Sequence, residues 1–123
     1  MSDVAVLGCT LEPVAPATGT ITIDPNQESQ DVLINGKGVY FKEIKFSVAG
    51  SNGGGSVTNN DGTGSGSIIA SGSNMTDADG NMTVLEGDVS ALVTINGTAG
   101  ESSASGTITV KVTKAGQIDV SLT

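Results

Sequence analysis

The acidic residues that could bind a metal ion lie closest together between residues 74 and 81. Asp77, Asp79 and Asn81 alternate along the chain there, with a glycine just before the last. Alternate oxygens ahead of a tight turn can surround one hard cation, so this spacing predicts a weak calcium-loop candidate at these three residues. A third acidic ligand is missing, and Glu86 does not stand where a closing bidentate ligand would. The interpretation we favour is a solvent-exposed Asp-Gly-Asn turn.

Other reactive arrangements are missing from the sequence. The chain has no histidine, which excludes acid–base and triad chemistry built on imidazole. Cys9 has no basic neighbour to lower the pKa of its thiol, and we expect it to be a buried small hydrophobe. The glycines of residues 62–66 are not followed by Lys-Ser or Lys-Thr, so they form no phosphate loop. We therefore expect no enzyme activity, no catalytic residue and no cofactor.

The charge of the chain excludes two classes of partner. Thirteen acidic residues face five basic ones, which leaves a net charge of −8. Binding of nucleic acid or of anionic lipid needs basic residues, so neither is expected. Apolar runs are too short for a membrane helix, and the N-terminal segment lacks the basic start of a signal peptide. A single cysteine excludes an intrachain disulfide and favours a reducing site of synthesis.

The elements that would position any site are short β-strands. Asn35-Gly36 lies between runs of β-branched and aromatic residues, which predicts a type I′ hairpin joining residues 32–34 to residues 39–48. Within the second strand, alternation predicts that polar and apolar residues do not segregate cleanly between its two faces. Asn96-Gly97 follows a related run and predicts a second turn of this kind.

These patterns predict one all-β domain over residues 1–123, made of short strands with Gly- and Asn-rich turns. A β-sandwich, a β-barrel and a solenoid-like fold all fit. Residues 50–66 are rich in Gly, Ser and Asn and predict a flexible loop; the alternative is backbone lying flat against its neighbours. The three aromatic residues, Tyr40, Phe41 and Phe46, are expected at the heart of the core or at a partner interface.

Three short motifs together resemble those of a known family. The motifs are Ser29-Gln-Asp-Val-Leu-Ile-Asn-Gly-Lys37, Gly66-Ser-Ile-Ile-Ala-Ser-Gly-Ser73, and Val84-Leu-Glu-Gly-Asp88, for which Val4-Ala-Val-Leu-Gly8 could be an earlier counterpart with Cys9 in place of Asp. They are similar to elements of the PAAR-like spike-tip proteins of contractile phage tails and type VI secretion systems. Gly38-Val39-Tyr40-Phe41 follows Asn-Gly-Lys here, where the family usually has Pro-Ala-Ala-Arg. The family's metal site, built from histidines and a cysteine, is not carried over.

The resemblance implies a mechanical role without catalysis. A PAAR-like protein is a small rigid β cone that caps a central tail spike, so the implied partners are other virion proteins, above all a trimeric β-helical spike. The implied location is the virion, after synthesis in the bacterial cytoplasm without a signal peptide. A capsid decoration or tail-surface β-sandwich protein is the second hypothesis, and a carbohydrate-binding adhesin module is the third.

Overall fold

Eleven β-strands, most of them short, make up the regular structure of the described residues. The computed structural model describes residues 2–53, 57, 61–71 and 82–122, and this part of the chain contains strands, turns and bridges but no helix. The all-β class expected from the sequence is confirmed. The strands are β1 (Ser2–Asp3), β2 (Thr10–Pro13), β3 (Thr18–Ile23), β4 (Leu33–Ile34), β5 (Lys37–Gly38), β6 (Glu43–Ser51), β7 (Gly62–Ile69), β8 (Val93–Ala99), β9 (Ser102–Ile108), β10 (Val110–Lys114) and β11 (Ser121–Leu122).

The largest element is a five-stranded antiparallel sheet in the order β3-β6-β7-β8-β9. Its longest strand, β6, alternates: Ile44, Phe46 and Val48 are buried, and the residues between them are exposed. Period-two alternation of this kind places one face of the sheet against the core and the other in solvent. Two-stranded pairs β1–β11, β2–β10 and β4–β5 complete the fold.

Part of the segment expected to be a flexible loop, residues 50–66, lies in strands. Residues 50 and 51 end β6, and Gly62 begins β7, so the glycines of β7 lie within the sheet. A Cβ at Gly64 would stand 2.2 Å from the Thr94 carbonyl oxygen, and one at Gly66 would stand 2.7 Å from Val93 Cγ2. Glycine is required in β7 because the neighbouring strand approaches too closely for a side chain.

The predicted type I′ hairpin is confirmed at Asn35-Gly36. Both residues have positive φ, 55° and 79°, and Ile34 pairs directly with Lys37 across the turn. The second strand does not continue through the sequence as expected. Lys42, at a φ of 70°, interrupts it, and β6 begins only after this break. The prediction of poorly segregated faces was therefore wrong, because the break resets the alternation.

The second predicted turn, at Asn96-Gly97, was wrong. Both residues lie inside β8 and pair with Ser105 and Ala104 of β9. The chain reverses instead at Gly100, whose φ is 67°. A Cβ at Gly97 would stand 2.8 Å from the backbone of Gly62. Glycine at this position therefore allows the two strands to approach closely and does not reverse the chain.

Three short segments far apart in sequence close into a ring, which we call the triangle. Each segment meets the next through one antiparallel bridge, and the third returns to the first, so the chain passes around the ring in sequence order. The segments are residues 4–6, 39–41 and 83–85, and the bridges are Val6 with Val39, Phe41 with Thr83, and Leu85 with Val4.

The triangle separates two hydrophobic clusters. Its three middle residues, Ala5, Tyr40 and Val84, belong to the main core beneath the five-stranded sheet. Four of its outer residues belong with the hairpin residue Ile34 to a small core, on which Phe41 and Val120 also pack; the four are Val4, Val6, Val39 and Leu85. Alternation along each segment explains this division, because successive side chains in extended backbone point to opposite sides. The triangle therefore forms the boundary between the two hydrophobic clusters and is buried on both sides.

Candidate functional site

The predicted calcium-binding residues Asp77, Asp79 and Asn81 lie outside the described residues. Among the residues that the structure describes, no group of three or more His, Cys, Asp or Glu side chains is arranged to hold a metal ion. In the same part of the chain there is no helix with the length and apolarity needed to cross a membrane.

The three aromatic residues lie together in the interior but in different clusters. Tyr40 and Phe46 are buried in the main core, whereas Phe41 is partly buried and packs against the small core. Their burial favours the core role over the interface role for Tyr40 and Phe46. Phe41 keeps partial exposure at the edge of the triangle.

Hydrogen bonds give the triangle an approximate threefold repeat. The amide of Ala5 donates to the Val84 carbonyl (2.8 Å), that of Val84 to Tyr40 (3.0 Å) and that of Tyr40 to Ala5 (3.1 Å). Each residue of the ring thus donates to one neighbour and accepts from the other. All six buried polar groups at the centre of the triangle are paired by this cycle, which is what their burial requires.

A second cycle lies around the first, two residues further along each segment. Leu7, Lys42 and Glu86, which we call the corner residues, donate their amides to the carbonyls of residues 38, 82 and 3 at 2.7–2.8 Å. The three corner side chains differ in chemistry: one is apolar, one basic and one acidic. The backbone therefore follows threefold symmetry more closely than the side chains do.

Two of the three corners continue into the same turn. Cys9 donates its amide to the Val6 carbonyl and Asp88 donates to Leu85, and Gly8 and Gly87 share a φ of 96°. Glycine adopts the left-handed backbone conformation of this turn without strain. The sequence likeness between the segments ending in Gly8 and Gly87 thus corresponds to a repeated local structure.

Beside the triangle, an open cavity of about 560 Å³ lies between β3 and the turn that contains Cys9. Tyr40 lines its inner end, and its side chain is 2% exposed. Burial, with smaller contributions from the nearby Cys9 and Glu28, raises the pKa of the Tyr40 phenol to about 12. Burial also raises the pKa of the Cys9 thiol to about 11, which keeps the thiol protonated and unreactive.

The rim of this cavity is a loop held by a single glutamine. Gln27 donates from its side-chain amide to the carbonyls of Asp24 and Lys45, both at 2.8 Å, and accepts from the Lys45 amide at 2.7 Å. Two of these bonds join the loop to Lys45 near the start of β6, and the third closes the loop on Asp24. Sequence reasoning missed this cavity because its walls come from distant segments; the polar run after Pro25 was the only local signal.

Comparison with protein-family models, with curated proteins and with solved structures finds no match to this chain.

Proposed function

We propose that the protein is a non-enzymatic structural component of a phage or phage-like injection particle, a PAAR-like tip that caps the central tail spike. The observation that supports this proposal is the triangle. A ring closed by three segments of one chain offers three similar backbone corners, which is the geometry needed to sit on a threefold partner.

The corner residues suggest how one copy would meet such a partner. Leu7 and Lys42 are exposed and Glu86 is half-buried, so all three reach the outside of the triangle. A trimeric spike presents the same surface three times, and a single copy of this chain would contact it through three related backbone positions. Because the triangle is buried from both sides and internally hydrogen-bonded, it would transmit force along its axis without rearranging.

The copy number of the chain in purified particles tests this proposal. Quantitative mass spectrometry against a tail component of known threefold or sixfold multiplicity gives the ratio. About one copy per particle is expected for a tip on the axis. Tens to hundreds of copies would overturn the proposal, and so would absence of the chain from particles whose other tail proteins are intact.

A second candidate, a capsid decoration or tail-surface protein, is favoured by strand β9. Within the described structure β9 pairs with β8 along one edge and with no strand along the other, and its seven residues include no charge. Uncharged open edges are suited to pairing with another chain. This candidate predicts self-association and many copies, so the same measurement separates it from a tip.

A further inference from the structure

The free edge of strand β9 carries a second inference, which rests on the second candidate function and names the contact surface that this candidate needs. We propose that β9 pairs with β9 of a second copy of the chain, antiparallel and about a twofold axis at Ser105. The two five-stranded sheets would then form one continuous sheet. Three features support this: the backbone groups at the free edge, the chemistry of the strand, and the contrast with the other edge of the sheet.

The direction of the backbone groups in β9 follows from its neighbour β8. The amide of Thr98 donates to Asp61 Oδ1 at 3.2 Å, so Thr98 turns its backbone groups toward β7. The adjacent residue, Gly97, therefore turns its own toward β9, where it pairs with Ala104. Ala104 is thus one of the β9 residues that bond to β8.

The residues that face the free edge are the alternate ones, Ser103, Ser105 and Thr107. The pairing of β9 with β8 runs from Ser102 to Ile108 without a bulge, so the alternation is not reset. All three residues are exposed, and none has a backbone partner along this edge among the described residues. The edge therefore offers a regular row of amides and carbonyls to another strand.

The chemistry of β9 is compatible with a second β9. Antiparallel pairing about Ser105 places Ser103 of each copy opposite Thr107 of the other, and hydroxyl residues paired in this way stabilise a sheet. On the other face Ala104 meets Gly106, so no large side chains collide. The net charge of −8 opposes association of two copies, but β9 itself carries no charge and opposes it least.

The edge at β3 is less open than the edge at β9. Strand β3 borders the cavity beside the Cys9 turn and packs near β2, and Ile21 and Ile23 of β3 are partly buried against the main core. A strand arriving at β3 would meet that turn, which disfavours head-to-tail pairing of β9 with β3 of another copy. Pairing of β9 with itself uses only the open edge and closes at two copies.

The mass of the purified chain in solution, measured by sedimentation equilibrium over a range of concentrations, tests the proposal. One strand from each copy makes a small contact, so we expect a weak dimer with a Kd of about 10–100 µM. The mass should rise toward twice that of the monomer and no further. A monomer at millimolar concentration would overturn the proposal and would leave this edge to a strand of another protein, and growth beyond a dimer would also overturn it.

A pair of charge substitutions tests the twofold geometry. Ser105→Lys alone and Ser105→Glu alone should each weaken the dimer at least about tenfold, because like charges then stand directly opposite each other. An equal mixture of the two variants should associate again, since unlike charges then face each other across the axis. Failure of the mixture to associate, or dimers that neither substitution weakens, would overturn the proposal.

Ser47→Lys and Ser47→Glu are the matched controls. Ser47 is an exposed serine of β6, inside the sheet, and its variants should leave the Kd within about threefold. Equal weakening at both positions would mean a general effect of charge and would overturn the assignment of the contact to β9.

Amide hydrogen exchange of the unaltered protein decides even if the variants do not fold. The amides of Ser103, Ser105 and Thr107 should become protected as the concentration passes the Kd, whereas that of Ala104 should be protected throughout. Lack of this alternating pattern in a dimer would overturn the proposal. The copy number in particles tests the proposed functions separately, so failure of the β9 contact and failure of a proposed function give different results.

Discussion

Replacing Thr83 with valine should make the protein more stable. Thr83 is fully buried in the triangle, and its hydroxyl oxygen has no hydrogen-bond partner in the described structure. The corresponding positions of the other two segments are occupied by Val4 and Val39, which are also fully buried. Valine therefore fits this backbone position, and the substitution exchanges an unpaired hydroxyl for a methyl group of similar size.

The size of the effect follows from the burial of that oxygen. An unsatisfied buried hydroxyl costs about 1–3 kcal/mol, so removing it at Thr83 should raise the free energy of unfolding by about 1–2 kcal/mol. For a chain of this length the melting temperature would rise by roughly 3–8 °C. The m-value should not change, because the surface exposed on unfolding is nearly the same.

Urea unfolding followed by circular dichroism measures the difference, with two control variants. Thr107→Val alters an exposed hydroxyl of β9 and should change stability by no more than about 0.5 kcal/mol. Thr83→Ser keeps the unpaired hydroxyl and loses a buried methyl, so it should destabilise by about 1 kcal/mol. A Thr83→Val protein as stable as the wild type, or less stable, would refute the argument that the unpaired hydroxyl destabilises the folded state.

Three further predictions concern the cysteine, the tyrosine and two glycines. Burial raises the pKa of the Cys9 thiol from 9.0 to about 11, so alkylation of Cys9 near pH 8 should be at least about 100-fold slower than in an unfolded peptide. Mass spectrometry measures the two rates, and similar rates would contradict the burial of the thiol. The folded state binds the Tyr40 and Cys9 protons more tightly than the unfolded state does, so the free energy of unfolding should fall as pH rises from about 9 toward 12; tyrosinate absorbance with a midpoint near 10.0 in folded protein would be the contrary result. In Gly36→Ala the new Cβ meets open space, so the positive φ alone should lower the free energy of unfolding by about 1 kcal/mol. In Gly64→Ala the Cβ would stand 2.2 Å from the Thr94 oxygen, and the loss should be about 3 kcal/mol or more. Equal losses of stability in urea unfolding would contradict the close packing of β7.

The sequence predicts local features of this fold better than distant ones. Asn35-Gly36 forms the expected turn because two residues that accept positive φ, flanked by strand formers, favour a tight hairpin locally. Asn96-Gly97 has the same letters but lies within a strand, because packing against Gly62 decides its conformation. The dipeptide is identical, and only its tertiary contacts differ.

The triangle shows what sequence reasoning recovers of the candidate site and what it misses. The likeness between the segments ending in Gly8 and Gly87 was visible, and both form the same turn. The third member, around Tyr40, was not recognised, because it lacks the glycine and turns at Lys42 instead. The cyclic hydrogen bonds join backbone amides and carbonyls. Their pairing cannot be recognised from the types of side chain in the sequence.

The closure of the triangle also determines when the molecule can acquire its native form during synthesis. Its amide cycle joins residues 5, 40 and 84, so no partial chain ending before the third segment can complete it. Until then a ribosome-bound intermediate holds unpaired backbone that must stay hydrated, while the hairpin at Asn35 can already form by itself. Once closed, the ring has no terminal link from which to fray. The amides of Ala5, Tyr40 and Val84 should therefore exchange with solvent together, in one opening event shared by the whole ring.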